Sequence, residues 1–194
     1  MAQPFTEEQR DAIRQRLFDS ACRHALLEGV RKTSLDALTA EAGISKSSFY
    51  KFYESKEQLF LAVAAKWEAQ LLACGTRALA GSGDKPNKAR AAAFVFAVFE
   101  EIHEMGAVRF LREDLPYLNA FAPGQETRAH CIDSAESIFN QLRSAQITFT
   151  APDETVRSVI KLLYLSILNI GDLGTGFFPA LNELVISAFD RLVA

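Results

Sequence analysis

Residues 33–60 read TSLDALTAEAGISKSSFYKFYESKEQLF, and the architecture of the N-terminal region follows from this stretch. Leu35, Leu38 and Ala42 recur at helical spacing and make the inner face of a short helix over 34–42, with Thr33 or Ser34 as its cap. Gly43 stops that helix where the backbone must turn sharply and a side chain would clash. Ile44 plugs the turn into the core. Ser45 then caps a second short helix over 46–52, whose Phe49 faces the same core. Two short helices joined by a tight glycine turn form the unit that sets a helix into the major groove of DNA.

The outward residues of the second helix suit a nucleic acid. Lys46, Ser47, Ser48, Tyr50 and Lys51 carry charges and hydroxyls with no acid among them. Small serines let the helix N-terminus approach a groove, and the free amides there bond phosphate. Tyr50 shares a face with Lys46 and Ser47, whereas Phe52 and Tyr53 read as core aromatics. Lys56 opens the following helix, within reach of a backbone phosphate, and Thr33 or Ser34 offers a hydroxyl to another.

Working outward, Thr6-Glu-Glu-Gln9 is a capping box that opens a helix with Ile13, Leu17, Ala21 and Ala25 on its apolar face, ended by Gly29. Ser55-Lys-Glu-Gln58 is a second capping box. It opens a long helix through Leu59, Phe60, Val63, Trp67 and Leu71 to about Leu79. Ala80–Pro86 is the clearest break. Beyond it, helical patterns cover 87–105, 107–119, 125–146, 152–170 and 178–193, with a glycine loop at 171–176 and no strand pattern. The expected fold is all-α. Residues 1–55 form a DNA-binding domain, joined through the long fourth helix to a larger helical domain over 56–194.

The stretch resembles the helix-turn-helix of the tetracycline-repressor (TetR) family. Ala42-Gly43-Ile44-Ser45, Ser48-Phe49-Tyr50, Phe52-Tyr53 and Ser55-Lys56-Glu57-Gln58-Leu59 match its spaced elements, and the likeness spans residues 9–66. Two positions depart from the family: Thr39 stands where Ala is usual, and Ser47 where Gly is usual. Thr39 is tolerated if its hydroxyl bonds within the helix, and Ser47 means that base preference is not carried over. The resemblance implies DNA contacts from Thr33 or Ser34, Lys46, Tyr50 and Lys56, the last two mainly at phosphates. Ser47, Ser48 and Lys51 are the base-edge candidates.

The resemblance also implies an effector pocket and a dimer in the C-terminal part. Trp67, Leu71, Phe94, Phe99, His103, Phe110, Tyr117, Phe121 and Phe139 are the candidate lining, although an aromatic at helical spacing is ordinarily core. Fifteen phenylalanines point to a small apolar or aromatic effector. The segment 156–170 is apolar on more than one face, and Leu181, Leu184, Val185, Ala188, Phe189 and Leu192 stripe the last helix. These two helices are expected to pair with their copies about a two-fold axis as a homodimer.

Bulk properties bound the alternatives. Net charge is +1 over residues 1–66 and −4 over the remainder, the sign expected if DNA meets the N-terminal region. Cys22, Cys74 and Cys131 are scattered and odd in number, and the start is polar, so a cytoplasmic protein without a membrane partner is expected. No HExxH, CxxC, GxSxG or phosphate-loop pattern occurs, and His130-Cys131 is badly spaced to share a metal. Neither catalysis, a metal nor a cofactor is expected. The expected function is a dimeric repressor of a palindromic operator released by its effector. The alternative is a small-molecule-binding or protein-interaction module that keeps the helix-turn-helix only as scaffold.

Overall fold

A computed structural model describes residues 5–121, 133–174 and 176–194, and these form two units. Among the described residues the regular elements are all helical, apart from one isolated bridge between Phe149 and Val193.

The first unit holds α1 (Glu7–Leu27), α2 (Leu35–Ala42), α3 (Lys46–Phe49) and the first part of α4 (Lys56–Gly81), together with a π-helical turn (Phe110–Asp114) and α6 (Leu115–Phe121). The capping box at Thr6 is complete: its hydroxyl accepts from Gln9 N–H at 3.2 Å, and Gln9 accepts from Thr6 N–H at 2.9 Å. Ile13, Leu17, Ala21 and Ala25 are buried, and α1 packs on α2. Ser34, rather than Thr33, caps α2, accepting from Ala37 N–H at 3.0 Å. Gly43 has φ 70°, and a Cβ there would meet nothing within 4 Å, so the left-handed backbone rather than crowding selects glycine.

Two details around the helix-turn-helix differ from expectation. Regular helix in α3 ends at Phe49, not 52, because Lys51 and Phe52 N–H bond carbonyls only three residues back, tightening the turn. At the start of α4, Ser55 accepts from Gln58 N–H at 3.1 Å, but Gln58 returns its bond to Glu54 N–H, one residue earlier than a capping box requires.

The second unit holds the rest of α4 from Trp67, α5 (Asn87–Glu104), α7 (Ser134–Ser144), α8 (Asp153–Leu168), α9 (Ile170–Leu173) and α10 (Phe177–Leu192). Its core is apolar and aromatic. Phe94, Val95, Val98, Phe99 and Ile102 of α5 are buried, as are Phe139, Ile160, Ile167, Leu181, Val185 and Phe189. α5 packs chiefly on α10, and α7 on α8. Gly75 lets α4 approach α5: a Cβ there would lie 2.8 Å from Val98 and 2.9 Å from Phe94.

The segment expected as 125–146 begins within the described residues at Ser134, with Asp133 accepting from the amides of Ala135 and Glu136. Residues 122–132, including Pro123, His130 and Cys131, lie outside the described residues. The span expected at 152–170 ends at Leu168. Asn169 donates to the Leu165 carbonyl at 2.7 Å, and the short α9 turn follows where a loop was expected. Among the described residues no helix is long and apolar enough to cross a membrane, and no three His, Cys, Asp or Glu converge as metal ligands.

Candidate nucleic-acid interface

The α2–turn–α3 segment is held from behind by polar contacts. Arg16 of α1 donates to the Ala42 carbonyl at 3.0 Å, at the C-terminal end of α2. Glu41 accepts from Ser20 at 2.6 Å, from Arg23 at 2.6 Å, and faces His24 Nε2 at 3.0 Å. His24 Nδ1 also lies 2.6 Å from Glu28. Burial would lower the His24 pKa, but the hydrogen bonds to Glu28 and Glu41 outweigh it, leaving a net rise. Hydrogen bonds from Ser20, Arg23 and His24 bring the Glu41 carboxyl down to about 2. Sequence reading missed this network. Its signal was Ser20, Arg23 and His24 at i, i+3 and i+4, one polar edge beside the apolar stripe of α1.

The outward face then carries the candidate DNA residues. Tyr50 is 59% exposed, its ring edge-on to buried Phe49 at 5.6 Å. Lys46, Ser47 and Lys51 are exposed and Ser48 is half-buried. Ser45 caps α3 through Ser48 N–H at 3.2 Å, and its hydroxyl also lies 2.9 Å from that of Ser47 and 3.0 Å from that of Ser48. Lys46 pairs with Asp36 at 2.8 Å, an exposed contact that a phosphate can replace at little cost. Lys51 lies 5.6 Å from the Phe5 ring. Thr39 bonds its hydroxyl to the Leu35 carbonyl at 2.9 Å, which is how α2 accepts a threonine. Tyr53 is half-buried, and desolvation raises its pKa.

Two candidates sit less openly. Thr33 is 1% exposed and its hydroxyl donates to Gly29 carbonyl at 2.7 Å, so Ser34 is the member of that pair at the surface. Lys56 is half-buried, its ammonium donating to the carbonyls of Val30 and Thr33 at 2.8 Å each. Two of its three donors therefore fasten α4 to the α1–α2 connection.

Residues 17–63 match the model of bacterial regulatory proteins of the tetR family. The matched residues fall in the N-terminal unit and include α2, the turn and α3. No curated protein sequence matches the chain. Solved structures share its fold across nearly the full length. The regulator FadR from Bacillus subtilis, in complex with stearoyl-CoA, has a TM-score of 0.66 at 13% identity, covering 90% of this chain and 96% of its own. A TetR-family regulator from Bordetella parapertussis has a TM-score of 0.62 at 18% identity, covering 91% and 93%. The regulator PfmR from Thermus thermophilus has 0.57 at 22%, covering 90% and 95%. The whole chain therefore shares the fold of these tetR-family structures.

The candidate effector residues fall in both units. Trp67, Leu71, Phe94, Phe99 and Phe139 are buried in the second, and Phe94 lines a cavity of about 200 Å³ with Thr76, Leu79 and Gln141. His103 is exposed, 5.0 Å from the Phe178 ring. In the first unit Phe110 is buried and Phe121 is 55% exposed. Tyr117 donates to Glu57 at 3.3 Å, lies under the Arg31 guanidinium at 4.7 Å, and meets the Phe121 ring at a tilt with centroids 4.7 Å apart. Desolvation, then Glu57, raises the Tyr117 pKa.

Proposed function

We propose that the chain is a cytoplasmic homodimeric repressor. It binds a near-palindromic operator through two copies of α3 and releases it when a small apolar or aromatic effector binds. The observation that carries the operator reading is the outer face of α3 and the turn that follows it: Tyr50 stands 59% exposed beside Lys46, Ser47 and Lys51, with no carboxylate among residues 46–51. Ser34, Ser48 and Lys56 complete the candidate DNA set, Lys56 with one donor left for a phosphate.

The dimer is supported by apolar surface on α8 and α10. Leu162 and Leu165 are 67% and 45% exposed, and Leu184 is 58% exposed. A second copy would cover these side chains. The effector class is supported by the aromatic interior of the second unit. FadR, of the same fold, is seen with stearoyl-CoA, a ligand with a long apolar chain. Coupling is proposed to run through α4, which supplies Lys56 to one unit and Trp67 and Leu71 to the other, and through Tyr117 on Glu57 and Arg31.

The test is selection of bound sequences from a random duplex library at about 0.15 M salt, where non-specific phosphate binding is already weakened. Enrichment of an inverted repeat is expected, its half-site spacing set by the dimer. No enrichment from folded, dimeric protein would leave the helix-turn-helix as scaffold and remove the operator reading.

A further inference from the structure

The second unit carries a groove of about 530 Å³, inside the roughly 300–1,000 Å³ range of small-molecule sites. None of the nine candidate effector residues lines it. Its floor is one face of α5, where Ala89, Ala93 and Ala97 follow at i+4 and offer only methyl groups, with Lys88, Phe96 and Glu100 of the same helix at its edges. Ile186 of α10 forms a wall and is 48% exposed, a large apolar side chain facing water. From Lys88 to Glu100 the floor runs roughly 18 Å along the helix.

The two ends differ in charge. Near the start of α5, Lys88 and Asp190 neutralise each other at 2.6 Å. At the far end Glu100 has no cation within ion-pair distance among the described residues, and Glu104 adds a second carboxylate one turn on. Partial desolvation, then the charge of Glu104, raises the Glu100 pKa. Phe96 lines the groove one turn before Glu100, on the same face of α5. The ring also contacts Phe178 edge-on at 6.3 Å.

An apolar trough ending in an unneutralised carboxylate beside an aromatic ring has one complementary ligand chemistry. A fatty acid anion would meet two carboxylates. A neutral chain would further desolvate Glu100 with nothing in return. A cation gains the charge of Glu100 and the face or edge field of Phe96 according to approach, while its chain covers the alanines and Ile186. We propose that this groove binds an elongated organic cation, its ammonium centre at Glu100 and Phe96 and its apolar chain along Ala97, Ala93 and Ala89. The groove shares no residue with the operator surface or with the candidate effector set, so it stands or falls independently of those two readings.

The test is calorimetric titration of the full chain with decyltrimethylammonium, decanol and decanoate, each below its micelle concentration, with the Ile186 methyl followed by NMR. The ammonium is expected to bind and shift the Ile186 methyl, with decanoate at least about tenfold weaker. Glu100→Gln is expected to weaken the ammonium about five- to tenfold and leave decanol unchanged. Ala93→Phe is expected to abolish binding of every probe while operator binding persists. Should Ala93→Phe not fold, the Glu100→Gln selectivity alone decides. Equal affinity for the three probes, no binding, binding untouched by both variants, or heat without an Ile186 shift would each overturn the proposal. So would a change of sedimentation in Ala93→Phe alone, which would make the groove an interface between copies.

Discussion

The two units use the same building element for different ends. In the first, short helices are fixed by directed polar contacts: Ser34 and Ser45 at caps, Arg16 on the Ala42 carbonyl, Lys56 on Val30 and Thr33, and Glu41 between Ser20, Arg23 and His24. In the second, long helices are fixed largely by apolar mass, with seven side chains of α5 buried. A unit that must present a few side chains to a rigid groove needs its backbone placed by directional bonds. A packed apolar unit sets shape by volume and leaves chemical identity open.

The neighbouring pair Phe49 and Tyr50 puts the sharpest edge on that contrast. Phe49 is 0% exposed, so Phe49→Ala should cost about 3–5 kcal/mol and unfold the N-terminal unit under mild denaturant. Tyr50→Ala, one residue on, should change stability by no more than about 0.5 kcal/mol and weaken operator binding about tenfold. Thermal melts beside gel-shift titrations separate the two. A Tyr50→Ala protein that melts early would make Tyr50 a core residue.

Next in size is Lys56. Removing its ammonium leaves two carbonyls without their charged donor, so Lys56→Ala should lose about 1.5–3 kcal/mol by denaturant melt. Lys46→Ala should leave the melt unchanged and reduce the slope of log affinity against log salt by about 1. If Lys56→Ala instead keeps its stability and loses affinity, its role is at the phosphate and the carbonyl bonds are incidental.

A smaller effect on the folded chain is expected at the exposed leucines of the second unit. Leu162→Glu combined with Leu184→Glu should shift unfolding by under about 1 kcal/mol, since both side chains face water, yet should yield monomers by sedimentation. A double variant that still sediments as a dimer would move the proposed interface off α8 and α10.

How much of this was legible in the sequence follows the same division. The helix-turn-helix could be read because its requirements are local: serine at a cap, glycine at positive φ, an apolar residue at each core-facing register. The acid-free surface of α3 came with it. Contacts across elements were not legible. Nothing in the sequence shows that Lys56 also fastens the Val30 and Thr33 carbonyls, or that the Thr33 hydroxyl is turned inward onto the Gly29 carbonyl. In the second unit, phenylalanines drew the eye to a pocket, yet Phe99 is 0% exposed. The groove escaped notice because alanines at i+4 carry no chemical signal of their own. The π-helical turn at Phe110–Asp114 has no sequence cue that we can name.

The smallest effect, and the most local, concerns pH at the α1–α2 contact. His24 has a raised folded-state pKa, so its contribution is fully present below the ordinary value of 6.5 and is lost as pH rises through the raised value. Glu41 has the opposite sign: its contribution is present above its ordinary 4.5 and is lost as pH falls toward about 2. The network is therefore strongest between about pH 4.5 and 6.5, taking those ordinary values as its edges. The two carboxylates are 40% and 39% exposed, so solvent screening holds the effect to under about 1 kcal/mol. Amide hydrogen exchange in α2, compared at about pH 6 and pH 8 after correction for intrinsic rates, should show α2 opening more readily at the higher pH. His24→Gln should flatten that dependence while Phe139 and the core of the second unit exchange as before. An unchanged pH profile in His24→Gln would place the titrating group elsewhere and reduce the network to packing.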